Sequence, residues 1–135
     1  MAGETAIDKL LSGMSPHLNA GEYVFCTLKG GHPALDLDPI GSFREAEGLT
    51  LILERNAAQH AGLTYDYVAA WITLNIHSSL QAVGLTAAFA TALKEAGISC
   101  NVVAAYYHDH IFVAQSDAGR AMEVLWALAG GQGGQ

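Results

Sequence analysis

Apolar residues recur at helical spacing at Ile7, Leu10, Leu11 and Met14, which predicts a short helix ending near Ser15-Pro16. After Gly21 the period changes. From Glu22 to Leu28, Tyr23, Phe25 and Thr27 alternate with Val24 and Cys26, and both sets are largely apolar, as in a strand inside a sheet. Lys29-Gly30-Gly31-His32-Pro33 breaks that strand, and a loop continues to about Pro39. Two further strands, Ile40 to Glu45 and Leu49 to Leu53, flank a hairpin turn, Glu45-Ala46-Glu47-Gly48, with glycine placed to take positive φ. A short helix, Asn56 to Ala61, stops at Gly62.

The next run, Tyr65 to Ile76, is rich in Tyr, Val, Trp, Ile and Thr, and predicts a strand long enough to leave one half and begin another. Ser79 to Ala96 is helical in pattern, with Leu85, Phe89, Ala92, Leu93 and Ala96 forming one apolar stripe that ends at Gly97. Ile98 to Ala105 and His110 to Ala114 form a hairpin around Tyr106-Tyr107-His108-Asp109. A last helix, Asp117 to Ala129, turns Ala118, Ala121, Met122, Leu125 and Ala129 inward, with Trp126 on its flank and Ser116 or Asp117 as its cap. Residues 130–135, GGQGGQ, read as a flexible tail. The second half is therefore β-α-β-β-α. A ferredoxin-like unit needs a fourth strand, and the N-terminal segment, Glu22 to Leu28 first of all, is expected to supply it or pair beside it. The halves then interlock, with boundaries at 1–68 and 69–129.

Composition narrows the function classes. Hydrophobic residues make up 51% of the 135 residues and charged ones 14%, so a packed core is expected rather than disorder. Thirteen Asp and Glu against six Lys and Arg give a net charge of −7, without a basic cluster, which argues against nucleic acid and anionic membrane surfaces. Cys26 and Cys100 lie in separate strands and read as reduced, buried thiols. The N-terminus lacks an apolar signal region, and no run approaches a membrane span. A cytoplasmic location is the expectation.

The turn Ile76 to Gln81 is the first place for chemistry. Ser78 to Gln81 fits S-x-x-Q, a capping box, and that structural role suffices to explain it. A second reading adds that the remaining N–H groups and the helix dipole attract a carboxylate or phosphate. Gly84, inside the predicted helix, costs ~1 kcal/mol relative to Ala, which close packing or the approach of a ligand would explain. His108 and His110 share a strand face and, with His77, form a conceivable metal set; Asp and His are also ordinary turn residues, and the turn is the favoured reading. Arg44 beside Glu45 and Glu47 reads as a surface ion pair rather than an anion contact. His17, His32 and His60 carry no motif. Ser78 and Ser79 near His77 do not make a triad by adjacency. No nucleophile elbow, phosphate loop, dinucleotide fingerprint or metalloprotease motif occurs, so neither an enzyme nor a cofactor is expected.

The segments EGLTLIL (47–53), ITLNIHSSLQAVGLTAAFATAL (72–93) and EAGISCNVVAAYYHDHIFV (95–113) resemble the small bacterial ACT-domain proteins, related to the tandem ACT regions of lysine-sensitive aspartokinases and CASTOR-type arginine sensors. The resemblance extends from about Gly21 to Leu128. It implies an α+β, ferredoxin-like fold of two interlocked ACT-type units, whose antiparallel sheets are covered by helices on one face. It also implies an amino acid bound at an ACT–ACT interface, between the first strand-to-helix loop and a neighbouring strand. Carried onto this chain, the loop is His77, Ser78, Ser79, Val83 and Gly84 with Leu85 at the helix start, and the facing strand is Ser99, Cys100, Asn101 and Val102. A homodimer is implied as well. The sequence departs from the large regulated enzymes in carrying no kinase domain. The leading expectation is a regulatory module for a small amino acid. The alternatives are a ligand-free protein-interaction module and, more distantly, a metal-assisted hydrolase using His108 and His110.

Overall fold

The computed structural model describes residues 6–30, 34–76 and 84–130. Its elements are α1 (Ala6–Ser12), β1 (Ser15–Leu18), β2 (Tyr23–Leu28), β3 (Gly41–Glu45), β4 (Gly48–Glu54), α2 (Arg55–His60), β5 (Val68–Asn75), α3 (Leu85–Glu95), β6 (Cys100–Ala104), β7 (Asp109–Ala114) and α4 (Ala118–Leu128), with 3-10 turns at Ala34–Leu37 and Gln115–Asp117. They form two compact units, Ala20–Ala70 and Met1–Asn19 with Trp71–Gln135. Strand β5 belongs to both, passing from one to the other at residues 70 and 71.

In the unit Ala20–Ala70, β2 lies between β4 and the start of β5, and β3 flanks β4. Alternation on β2 buries Val24, Cys26 and Leu28 against Leu51, Leu53 and Ala58, the last carried by α2. Burying each of the larger side chains contributes about 1.5–3 kcal/mol. The hairpin joining β3 to β4 forms as its sequence predicts, with Glu45 opposite Gly48. Gly48 takes positive φ as expected, at 158°, and a second constraint adds to it. A Cβ at Gly48 would lie 2.8 Å from Thr27 Oγ1 and 2.9 Å from the Leu28 carbonyl, so close approach to β2 requires it. A 3-10 turn, Ala34–Leu37, stands in the crossover from β2 to β3, where a ferredoxin-like unit would have its first helix.

The other unit has the strand order β1-β5-β7-β6. Ile72 and Leu74 from β5 and Ile111 and Val113 from β7 are buried with Phe89 and Leu93 of α3 and Ala121 and Leu125 of α4. The strand that completes this unit is β1, not Glu22 to Leu28 as the pattern suggested. Its register runs from Ser15↔Asn75 to Leu18↔Ile72, whereas β2 pairs with β5 only at Tyr23↔Ala69 and Val24↔Val68, in the other unit. The predicted N-terminal helix accordingly stops at Ser12, two residues short of Met14. Asn19 N donates to the Trp71 carbonyl at 2.9 Å, so alternation along β1 turns the backbone of His17 towards β5 and that of Pro16 away from it. Proline therefore removes no ladder hydrogen bond, which is the condition for finding it in an edge strand.

Candidate functional site

The predicted ligand loop begins where β5 ends. His77, Ser78, Ser79 and Val83, together with the Ser78–Gln81 pattern, lie outside the described residues. Gly84 does not sit within a helix from Ser79, as its spacing suggested: α3 starts at Leu85, and Gly84 is its N-cap at φ 94°. A Cβ there would meet no described atom within 4 Å. The left-handed backbone by itself suffices to explain the glycine, and an L side chain would cost about 1–2 kcal/mol. Among the described residues no side chain caps α3. The helix dipole favours an anion at this end of α3.

The predicted facing residues follow the other end of α3. Ser99 and Asn101 are exposed, Cys100 and Val102 half-buried, and β7 stands between β6 and β5 in the sheet. Gly84 and Ser99 are thus separated by the length of an eleven-residue helix, about 16 Å, and β6 climbs back only about 7 Å by Val102. Within one copy of the unit, a single small ligand does not span the two groups. Burial pushes the Cys100 thiol pKa up, and that of Cys26 as well, which keeps both protonated and poorly nucleophilic.

A polar cluster on the same unit has no counterpart among the sequence motifs. Trp71 Nε1 donates to His110 Nδ1 at 3.0 Å, and Thr73 Oγ1 lies 3.1 Å from the same nitrogen. Asn19 Nδ2 donates to Thr73 Oγ1 at 3.0 Å and to the Trp71 carbonyl at 3.1 Å. Indole is only a donor, so Nδ1 of His110 is the bare acceptor and the ring proton resides on Nε2. The Thr73 hydroxyl, accepting from Asn19, can then donate to Nδ1. Burial lowers the His110 pKa, the neighbouring His108 lowers it further, and Asp109 partly opposes them. His108 and His110 do share a face, with rings 6.3 Å apart and edge-on, and His108 Nδ1 is buried without a partner among the described residues. No group of three or more metal-binding side chains occurs among the described residues. The signal available in the sequence is the interruption of β5's apolar run by Trp71, Thr73 and Asn75, whose side chains share a face.

Two ferredoxin-like α+β units in one chain define the class, that of tandem small α+β domains. A model of the ACT domain matches residues 2–70 and another ACT domain model matches residues 67–126. The chain belongs to the ACT-domain family. Its structure is similar to that of a Vibrio cholerae protein of unknown function described as a "possible transport protein", at 54% identity and TM-score 0.85, covering 92% of this chain and 96% of that one. An Agrobacterium tumefaciens protein is similar at 17% identity and TM-score 0.66, covering 86% and 89%. Clostridium acetobutylicum aspartate kinase, described as an allosteric enzyme, is similar at 10% identity and TM-score 0.62, covering 86% of this chain and 34% of the kinase. Among curated proteins none matches. Among the described residues no helix is long and apolar enough to cross a membrane.

Proposed function

We propose that the chain is a regulatory module that binds a small amino acid at the turn between β5 and α3 and works as a homodimer. The observation that carries this is the α3 N-terminus: a helix start held by a left-handed glycine at the end of the β5–α3 turn in an ACT domain. The N–H groups and dipole of a helix N-terminus suit the ligand's carboxylate. His77, Ser78, Ser79 and Val83 complete the loop with Gly84 and Leu85. The facing residues, Ser99, Cys100, Asn101 and Val102, would come from the second copy, because α3 separates them from Gly84 in the first. The test is thermal unfolding of the purified protein against the twenty amino acids. A ligand at about 100 Kd contributes ~2.7 kcal/mol and raises Tm by several degrees. A flat screen at millimolar concentrations removes this reading.

A second reading, a protein-interaction module, is favoured by β6 and its hairpin tip. Strand β6 is uncharged and lies at the end of its sheet, Val103 is 41% exposed, and Tyr106 and Tyr107 are 93% and 81% exposed. Stable capture of one partner, lost on Val103→Lys, together with a flat ligand screen would select it. Hydrolysis through His108 and His110 gains no support, since Nδ1 of His110 is engaged by Trp71 and Thr73.

A further inference from the structure

We propose that the unit Ala20–Ala70 holds a second small-molecule site, selective for a compact primary ammonium compound with a hydroxyl tail. It is independent of the amino-acid site at α3.

The site arises where strand pairing stops. Arg55 N donates to the Glu22 carbonyl at 3.0 Å, and the same register continues through Val24↔Leu53 and Cys26↔Leu51. The even-numbered residues of β2 therefore turn their backbone groups to β4, and those of Thr27 point to the opposite edge. On that edge, pairing with β5 ends at Val24↔Val68. Beyond it, the segment 64–66 parts from β2 and a cleft of ≈ 320 Å³ opens, lined by Phe25, Thr27, Thr50, Thr64, Tyr65 and Asp66 among others. The volume is at the small end of ligand clefts.

The walls are fixed. Tyr65 is held through its hydroxyl, which accepts from Arg55 Nε at 2.8 Å and from Gln59 Nε2 at 3.0 Å. Arg55 is in turn paired with Glu22 at 2.9 Å, and Phe25 lies 6.3 Å from the Tyr67 ring. Thr27 and Thr50 are directly opposite on β2 and β4, so their hydroxyls stand side by side. The Thr50 hydroxyl donates to Glu45 Oε1, which leaves its oxygen as an acceptor.

The lining has the electrostatics of a cation site. It contains the Asp66 carboxylate and no Lys or Arg, and Glu45 adds a second carboxylate behind Thr50. Among the described residues the ion pairs are Arg55–Glu22 and Arg120–Asp117, so Asp66 is unpaired. An ammonium meets Asp66 and the threonine oxygens, and a hydroxyl tail meets the open backbone edge at Thr27. A zwitterionic amino acid is disfavoured, because Arg55, which borders the cleft through Tyr65, is already paired with Glu22.

The probe is ethanolamine, with ethylene glycol as its neutral counterpart, titrated into the full chain while the backbone amide NMR spectrum is followed. Ethanolamine is expected to shift the Thr27, Thr64 and Asp66 amides saturably, leaving Gly84 and Leu85 unmoved. Asp66→Asn, at an exposed position, should weaken binding about tenfold through loss of a charge-assisted hydrogen bond. Thr64→Val should weaken it as well. An equal response to ethylene glycol, no saturable shift at those amides, or unchanged binding by Asp66→Asn would overturn the proposal. Failure of the amino-acid site reads out separately, at Gly84 and Leu85.

Discussion

Replacing Trp71 by Phe tests the tautomer of His110, and with it the way acid destabilises the protein. The indole N–H donates to Nδ1 at 3.0 Å and so favours the neutral ring, while the indole also stacks near Phe112, with centroids 6.3 Å apart. Phenylalanine keeps most of the apolar contact and removes the donor. At pH 8 the cost should be about 1 kcal/mol, the net value of one partly buried hydrogen bond, because Thr73 still serves Nδ1. The larger signal is in the pH dependence. The folded-state pKa of His110 lies below that of the unfolded chain, ~6.5, so the unfolded state binds the proton first. This contribution to stability is complete above about pH 6.5 and is lost as the pH falls towards the folded-state value. In Trp71→Phe the neutral form loses a hydrogen bond, the His110 pKa rises, and the acid loss shrinks by ~1.4 kcal/mol for each unit regained. Urea unfolding followed by circular dichroism at pH 8 and pH 5, with NMR titration of the His110 ring, measures both quantities. An unchanged ring pKa together with an unchanged acid slope would refute the assignment of Nδ1 as the bare nitrogen.

Other outcomes follow from packing and register. Gly84→Ala should lower stability by about 1–2 kcal/mol through its left-handed backbone, and Gly48→Ala by more, because its Cβ would strike Thr27 Oγ1 and the Leu28 carbonyl; urea midpoints rank the two. Phe89→Ala, at a side chain with no exposure, should cost about 3–5 kcal/mol in the same assay. Pro16→Ala should change stability by less than about 1 kcal/mol, whereas His17→Pro should cost ~3 kcal/mol by removing a bond of the β1–β5 ladder. Similar losses from the two would mean that the β1 register is wrong.

Several features are legible in the residue pattern because they depend on local periodicity. The alternation on β2, the hairpin at Ala46-Glu47, the stripe of α3 and the β6–β7 hairpin are each decided within a dozen residues. The family is legible too, through the resemblance of segments 47–53, 72–93 and 95–113 to small ACT-domain proteins. The candidate loop at His77 to Leu85 is visible from its serines and glycine, though the role of Gly84 is not, because φ is not encoded by spacing. The Trp71–His110 pair, separated by 39 positions, depends on which faces of β5 and β7 adjoin.

By itself, then, the sequence determined most element types and their apolar faces through short-range side-chain patterning, and the tandem ferredoxin-like class through its resemblance to ACT-domain proteins. Only the tertiary structure decided that Ser15–Leu18, rather than β2, completes the second unit. A four-residue strand containing proline has no periodic signature, and its existence rests on the ladder that β5 offers it. The same is true of the two ends of α3. The family resemblance puts Gly84 and Ser99 in one set of ligand residues, and within one copy a helix about 16 Å long lies between them.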